Sequence, residues 1–124
     1  MTKKILDFRS DTVTHPTKAM YEAMTESPLG DDVHGDDPTV QKLEALAAEK
    51  MGKEAALYVP SGIMGNVLAL GVHGSGGGEV IMESLSHTHN FEGGGCSRIW
   101  GLHVRTVPGK RGAMDPGDVK AALR

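Results

Sequence analysis

Cysteine is nearly absent from this chain. Cys96 is the only one in 124 residues, so no disulfide can form within the chain, and a reducing compartment is expected. Aromatic residues are almost as scarce, with one Trp, two Tyr and two Phe, which leaves few large anchors for an independent core. No apolar stretch approaches the roughly 20 residues of a bilayer-spanning helix. The start, Met1 to Asp7, turns acidic before a signal-peptide core could form. A cytoplasmic location with no membrane partner is therefore expected. Basic residues are in the minority at a formal net charge of −3 and are scattered, with Lys110-Arg111 only a local pair, so nucleic acid is not an expected partner either.

Glycine, by contrast, is abundant: 17 residues call for tight turns or close backbone approaches. The length allows one small domain with one core. Residues 1–15 read as an extended arm ending in Arg9-Ser10-Asp11-Thr12-Val13-Thr14. Pro16 is expected to open a helix carrying Met20, Ala23 and Met24 on one face, with Ser27-Pro28 as its stop. Asp37-Pro38 should start a second helix with the stripe Val40, Leu43, Leu46, Ala47 and Met51, and Gly52 should end it. Ala55–Val59 is an apolar run of strand length that Pro60-Ser61-Gly62 interrupts. Met64, Val67, Leu68, Leu70 and Val72 then predict a mostly buried helix. Short strands are expected over 79–82 and 102–107, with a His- and Gly-rich loop over 86–95 between them and room there for a helical turn. Met114-Asp115-Pro116 should open a last helix. Strands separated by helices imply an α/β class with a mostly parallel sheet.

Four constellations are candidates for chemistry. The turn at 60–66 directs free backbone N–H groups and the positive end of a helix dipole at one point, a place for a single phosphate with help from Ser61. It is neither a P-loop nor a Gly-x-Gly-x-x-Gly turn, and a purely structural turn is the alternative. His87 and His89, in Ser86-His-Thr-His-Asn-Phe-Glu92, could bind metal with Glu92, but the following glycines favour a loop over the strand that would align them. One imidazole is more plausible as a partner for a flat ring or as a proton carrier. The aspartates of Gly30-Asp-Asp-Val-His-Gly-Asp-Asp-Pro38 lack the register of a calcium loop and fit an ordered turn in which Asp31 or Asp32 bonds backbone N–H groups. Cys96 has no base beside it in sequence, so inert packing is expected. No metal site is expected.

Together these segments resemble the pyridoxal-phosphate-dependent threonine aldolases of the aspartate aminotransferase-like superfamily. The resemblance is carried by Asp7-Phe-Arg-Ser-Asp-Thr-Val-Thr14 with Pro16-Thr17, and by Gly30-Asp-Asp-Val33 with Gly35-Asp-Asp-Pro-Thr-Val40. Gly52-Lys-Glu-Ala-Ala56, Pro60-Ser-Gly62 with Met64-Gly-Asn66, and His87 with Phe91-Glu92 and Gly94-Gly95 complete it, in order along almost the whole chain. The resemblance implies the N-terminal part of a fold-type I enzyme, with an arm over 1–15 and a truncated cofactor domain over 16–124. It implies that Ser61, Gly62 and the N–H of Ile63 hold the phosphate of pyridoxal 5′-phosphate, that the catalytic His87 stacks on its ring, and that Glu92 supports the His87 loop. Ser10 and His34 would face an amino-acid substrate.

In such enzymes a lysine forms a Schiff base with the cofactor, and threonine or allo-threonine is cleaved to glycine and acetaldehyde. Two positions depart from the pattern. Ile63 stands where the family usually has threonine, removing one hydroxyl contact worth about 0.5–1.5 kcal/mol, and His34 stands where tyrosine is usual. No lysine of this chain has the Schiff-base context, so the 124 residues are expected to be inactive alone. They would work in a homodimer or homotetramer of a longer chain or with a complementing C-terminal chain; the alternative is a non-catalytic fragment or assembly module of a split or decayed enzyme.

Overall fold

The computed structural model describes residues 5–74 and 76–124; the first four residues of the expected arm, and Ser75 in the loop before the first strand, lie outside them. The chain divides into two compact units, Met1–Tyr58 and Val59–Arg124.

In the first unit the arm carries a 3₁₀ turn at Asp11–Val13, capped by Ser10. Helix α1 (Lys18–Glu26) begins later than Pro16: Thr17 is the cap, its hydroxyl accepting from Met20 N–H at 3.3 Å. Helix α2 (Pro38–Met51) keeps its expected bounds because both ends are written in local chemistry. Asp37 accepts from Thr39 and Val40 N–H at 2.9 Å each, and Gly52 closes the helix in the left-handed conformation. The Val40 N–H, ahead of lesser contributions, holds the Asp37 carboxyl below its ordinary value. Among the described residues of this unit, Ala48 is the one buried apolar residue.

The strand expected over Ala55–Val59 is not formed; no ladder partner lies beside it among the described residues. The Tyr58 N–H donates to the Glu44 carboxylate at 2.7 Å instead of to a neighbouring strand, and Leu57 is exposed.

The second unit holds the core. Helix α3 (Gly62–Gly74) is followed by β1 (Gly78–Glu83), α4 (His87–Asn90), α5 (Gly95–Trp100) and β2 (Leu102–Val107). Strands β1 and β2 pair in parallel from Gly78↔Leu102 to Glu83↔Val107, as their connection through two short helices requires. On one face Val80, Met82, Leu102 and Val104 meet Leu70, Cys96 and Trp100, with Met82, Cys96 and Leu102 buried at the centre. Cys96 is therefore packed as expected. On the other face Arg105 clasps Glu79 through two hydrogen bonds of 2.6 and 3.0 Å.

Three sequence expectations change here. Helix α3 is not mostly buried, since only Val67 and Gly71 are, while Val72 is exposed. The 86–95 stretch forms the one-turn α4, and Gly93 and Gly94, both at positive φ, turn the chain into an unforeseen helix α5. After β2, Gly109–Lys110 (β3) and Ala113–Met114 (β4) form a hairpin whose tip, Arg111-Gly112, has positive φ at both residues. Helix α6 (Pro116–Ala122) opens on Asp115, as its N-cap and proline predict, and packs on β2.

Candidate functional site

The site in the second unit begins at the first turn of α3. The Ser61 hydroxyl accepts from Met64 N–H at 3.1 Å, which caps the helix and leaves its O–H free to donate. The N–H groups of Gly62 and Ile63 lie in the first turn, where a helix offers no internal acceptor. A Cβ built on Gly62 would meet no atom within 4 Å beyond its chain neighbours and its own helix turn, so no described side chain crowds this corner. Ile63 contributes only its backbone there, and its side chain is nearly half exposed.

One turn further along α3, on the same face as Gly62, stands Asn66. Its amide Nδ2 donates to Glu92 Oε1 at 2.7 Å. That same oxygen is 3.0 Å from His87 Nδ1 and 3.5 Å from Thr88 Oγ1. The Glu92 residue is only 7% exposed, whereas the His87 side chain is 65% exposed. Burial pushes the Glu92 carboxyl up, but the hydrogen bonds from Asn66 and His87 outweigh it and hold the group below its ordinary value. An ionised carboxylate only accepts, so His87 must carry its neutral-state proton on Nδ1, leaving a lone pair on Nε2. The His87 ring also tilts against Phe91, with centroids 5.3 Å apart.

Two buried oxygens, Ser86 Oγ and Glu92 Oε2, have no partner among the described residues. Asn66, Ser86 and Thr88 line the polar side of a cavity of about 290 Å³ whose other wall includes Leu70, Val80 and Met82.

The chain thus brings together His87 and Glu92, while Ser61 caps α3 and Gly62 and Ile63 open it on the helix that carries Asn66. Ser10 and His34 belong to the first unit. The Ser10 hydroxyl caps its 3₁₀ turn, accepting from Thr12 N–H at 3.2 Å and from the Thr12 hydroxyl at 2.9 Å. His34 ends a 3₁₀ turn at Asp32–His34 and is exposed, with Gly35 following it in the left-handed conformation. The aspartates around it serve the backbone: Asp31 accepts from Val33 N–H, Asp36 from Asp31 N–H and Asp37 from Gly30 N–H. Among the described residues no group of three or more His, Cys, Asp or Glu side chains is placed to hold a metal. Asn66 is the site residue that the motifs left without a role; its i+4 spacing from Gly62 was the available signal.

The depressed Glu92 carboxyl makes one prediction. A group whose folded value lies below its unfolded value stabilises the fold fully above the unfolded value, near the ordinary 4.5, and loses that contribution as pH falls further. Urea unfolding of the protein and of Glu92→Gln should therefore differ most near neutrality and converge in acid. Curves that stay equally separated from pH 7 down to pH 3 would count against an ionised Glu92.

The comparisons with known proteins cover nearly the whole chain. Residues 7–124 match the family model described as beta-eliminating lyase. A protein named low-specificity L-threonine aldolase 1, from Arabidopsis thaliana, is 49% identical over 126 residues, covering 100% of this chain and 35% of its own length. The low specificity L-threonine aldolase of Escherichia coli K12 is 42% identical over 120 residues, covering 97% of this chain and 36% of its own length. An alanine racemase of Cochliobolus carbonum is 36% identical over 107 residues, which is 86% of this chain and 28% of that protein. The chain therefore spans about a third of the length of these relatives.

Proposed function

The chain belongs to the beta-eliminating lyase family, and from that membership we propose that it is the N-terminal portion of a pyridoxal-phosphate-dependent lyase of the threonine aldolase kind. The whole protein, on this reading, has the fold-type I architecture, acts as a homo-oligomer, and cleaves L-threonine or L-allo-threonine to glycine and acetaldehyde. The observation that carries the proposal is the chain of contacts Asn66–Glu92–His87, which ties an anion-binding helix start to a held imidazole within one unit. The donor set suits the cofactor: a hydroxyl and two N–H groups at a helix start for a phosphate, and an exposed flat side chain for a ring. The aldolase reading over racemisation rests on the higher identity and coverage of the relatives bearing that name.

Bound pyridoxal phosphate would supply the electron sink for breaking the bond between Cα and Cβ. Ser61, Gly62 and Ile63 bind and orient the phosphate. His87 Nε2 accepts the proton of the substrate's β-hydroxyl, while Glu92 fixes the ring through Nδ1 and stabilises the imidazolium that forms. For Ser10 and His34 the proposal of a substrate contact rests on the resemblance alone. The lysine that bonds the cofactor belongs to the remaining length of the protein.

Two substitutions at one position test the phosphate cup. Ser61→Ala should cost about 0.5–2 kcal/mol by removing the cap of α3, and it should weaken the cofactor as well. Ser61→Asp keeps the cap but sets a negative charge against the phosphate, so stability should survive while pyridoxal phosphate binding is lost. Calorimetric titration of the full protein with pyridoxal phosphate and with phosphate-free pyridoxal reads the result. Equal affinity for the two ligands, or unimpaired binding by Ser61→Asp, would refute the cup.

A further inference from the structure

Asn66 belongs to the Met64-Gly-Asn66 motif but has no role assigned by it. We propose that Asn66 is a positioning residue that shares the buried Glu92 carboxylate with His87, donating from Nδ2 to the same oxygen that His87 Nδ1 addresses, and so lessens the anion's pull on a second imidazole proton. The inference rests on the reading of His87 as the proton-handling group and adds the device that keeps it ready.

The geometry sets out the roles. Of the three donors on Glu92 Oε1, His87 and Thr88 come from the segment that carries Glu92 itself, and Asn66 alone comes from α3. A carboxylate this buried needs donors to remain ionised. Were the imidazole its only close partner, the anion would favour the doubly protonated ring, and His87 would meet its substrate already carrying the proton it has to accept. An amide does not titrate. Asn66 therefore gives Glu92 a permanent partner at 2.7 Å, whichever state His87 is in. Because the partner is a carboxylate, the amide must present its NH₂ and not its oxygen. The position is exposed, so truncating Asn66 opens no core cavity.

Other ionisable groups on the surrounding elements have their own settings. On β1, Glu83 accepts from Leu85 N–H at 2.7 Å and from the Ser84 hydroxyl at 3.3 Å, and Glu79 pairs with Arg105 of β2. On α5, Cys96 is buried in the core and Arg98 is exposed; His73 stands in the last turn of α3, and His89 on α4 is exposed. Among the described residues, His87 is the ionisable side chain within hydrogen-bond distance of Glu92.

The test is a ¹⁵N NMR titration of the His87 imidazole in the full, cofactor-free protein, with the resonance assigned by His87→Gln. Asn66→Ala should raise the His87 midpoint by about 0.5–1 pH unit, a roughly three- to tenfold gain in proton affinity, because the anion then leans harder on the ring. Asn66→Asp, with a second carboxylate beside the first, should raise it further. Glu92→Gln should lower it. A merely structural asparagine would alter melting and leave these midpoints unmoved. An unmoved or lowered midpoint in Asn66→Ala overturns the proposal, as does an Asn66→Asp value below that of Asn66→Ala. The cofactor is absent from the measurement, so failure of the phosphate cup shows only in the calorimetric titration and failure of the Asn66 role only here.

Discussion

His87→Ala in the complete enzyme should lower kcat/KM for cleavage of β-hydroxy amino acids by about 10²–10⁴, the usual range for losing a positioned general base. The melting temperature should hardly change, because the imidazole is two-thirds exposed and its removal loses a tilted contact with Phe91 and one of several hydrogen bonds to Glu92. The two outcomes belong together. Glu92 keeps its bonds from Asn66 and Thr88 when His87 is lost, so the variant leaves no buried carboxylate stranded. Steady-state kinetics over pH, beside a thermal melt, make the check. A variant with near-normal kcat/KM would remove His87 from the proton transfer. A variant that loses activity only by unfolding would show the side chain to be structural.

What could be read from the amino acids depended on whether the deciding interaction was local. Helix α2 was legible to the residue because Asp37, Pro38 and Gly52 terminate it through bonds made within a few positions. Strand β2 was equally legible from its alternation. Ala55–Val59 was not, because a strand exists only with a ladder partner, and an apolar run says nothing about whether one lies beside it. Helix α5 was hidden by the glycines before it, which read as a loop; two of them are instead the left-handed corner between α4 and α5. The Arg111-Gly112 hairpin does carry a local signal, a Gly at the second position of a two-residue turn. At the site, the His87–Glu92 pair lies five residues apart within one segment, whereas Asn66 reaches Glu92 across 26 residues. Local spacing revealed the first, and only the packing of α3 against the 86–92 segment revealed the second.

The packing of α3 supports a sharper test, in which one substitution has opposite signs at two positions of the same helix. Gly71→Ala should destabilise the protein by about 1–3 kcal/mol, the ordinary cost of overpacking. Gly65→Ala should instead stabilise it by about 0.5–1 kcal/mol, because alanine restricts the helix backbone better than glycine does. At Gly65 a Cβ would stand 3.5 Å from Val59 Cγ2, an ordinary contact. At Gly71 it would overlap the Trp100 indole at Cε2, Cζ2 and Nε1 together.

A ring gives way less readily than the end of a flexible side chain, and this ring is also tethered. Trp100 Nε1 donates to the Val67 carbonyl at 2.8 Å, using the second lone pair of an oxygen that already lies in the helix ladder. The indole reaches that oxygen only because Gly71, four residues on, has no side chain in the way. Moving the ring would break this bond and disturb the cluster of Met82, Cys96 and Leu102 against which it packs. The overlap and the lost hydrogen bond therefore outweigh the helix-propensity gain of about 1 kcal/mol. Trp100 is the only tryptophan, so its emission reports the displacement directly while urea unfolding reports the free energy. A red-shifted, less stable Gly71→Ala beside a more stable Gly65→Ala is the expected pair. Two variants stabilised alike would mean that Trp100 does not pack on the α3 backbone.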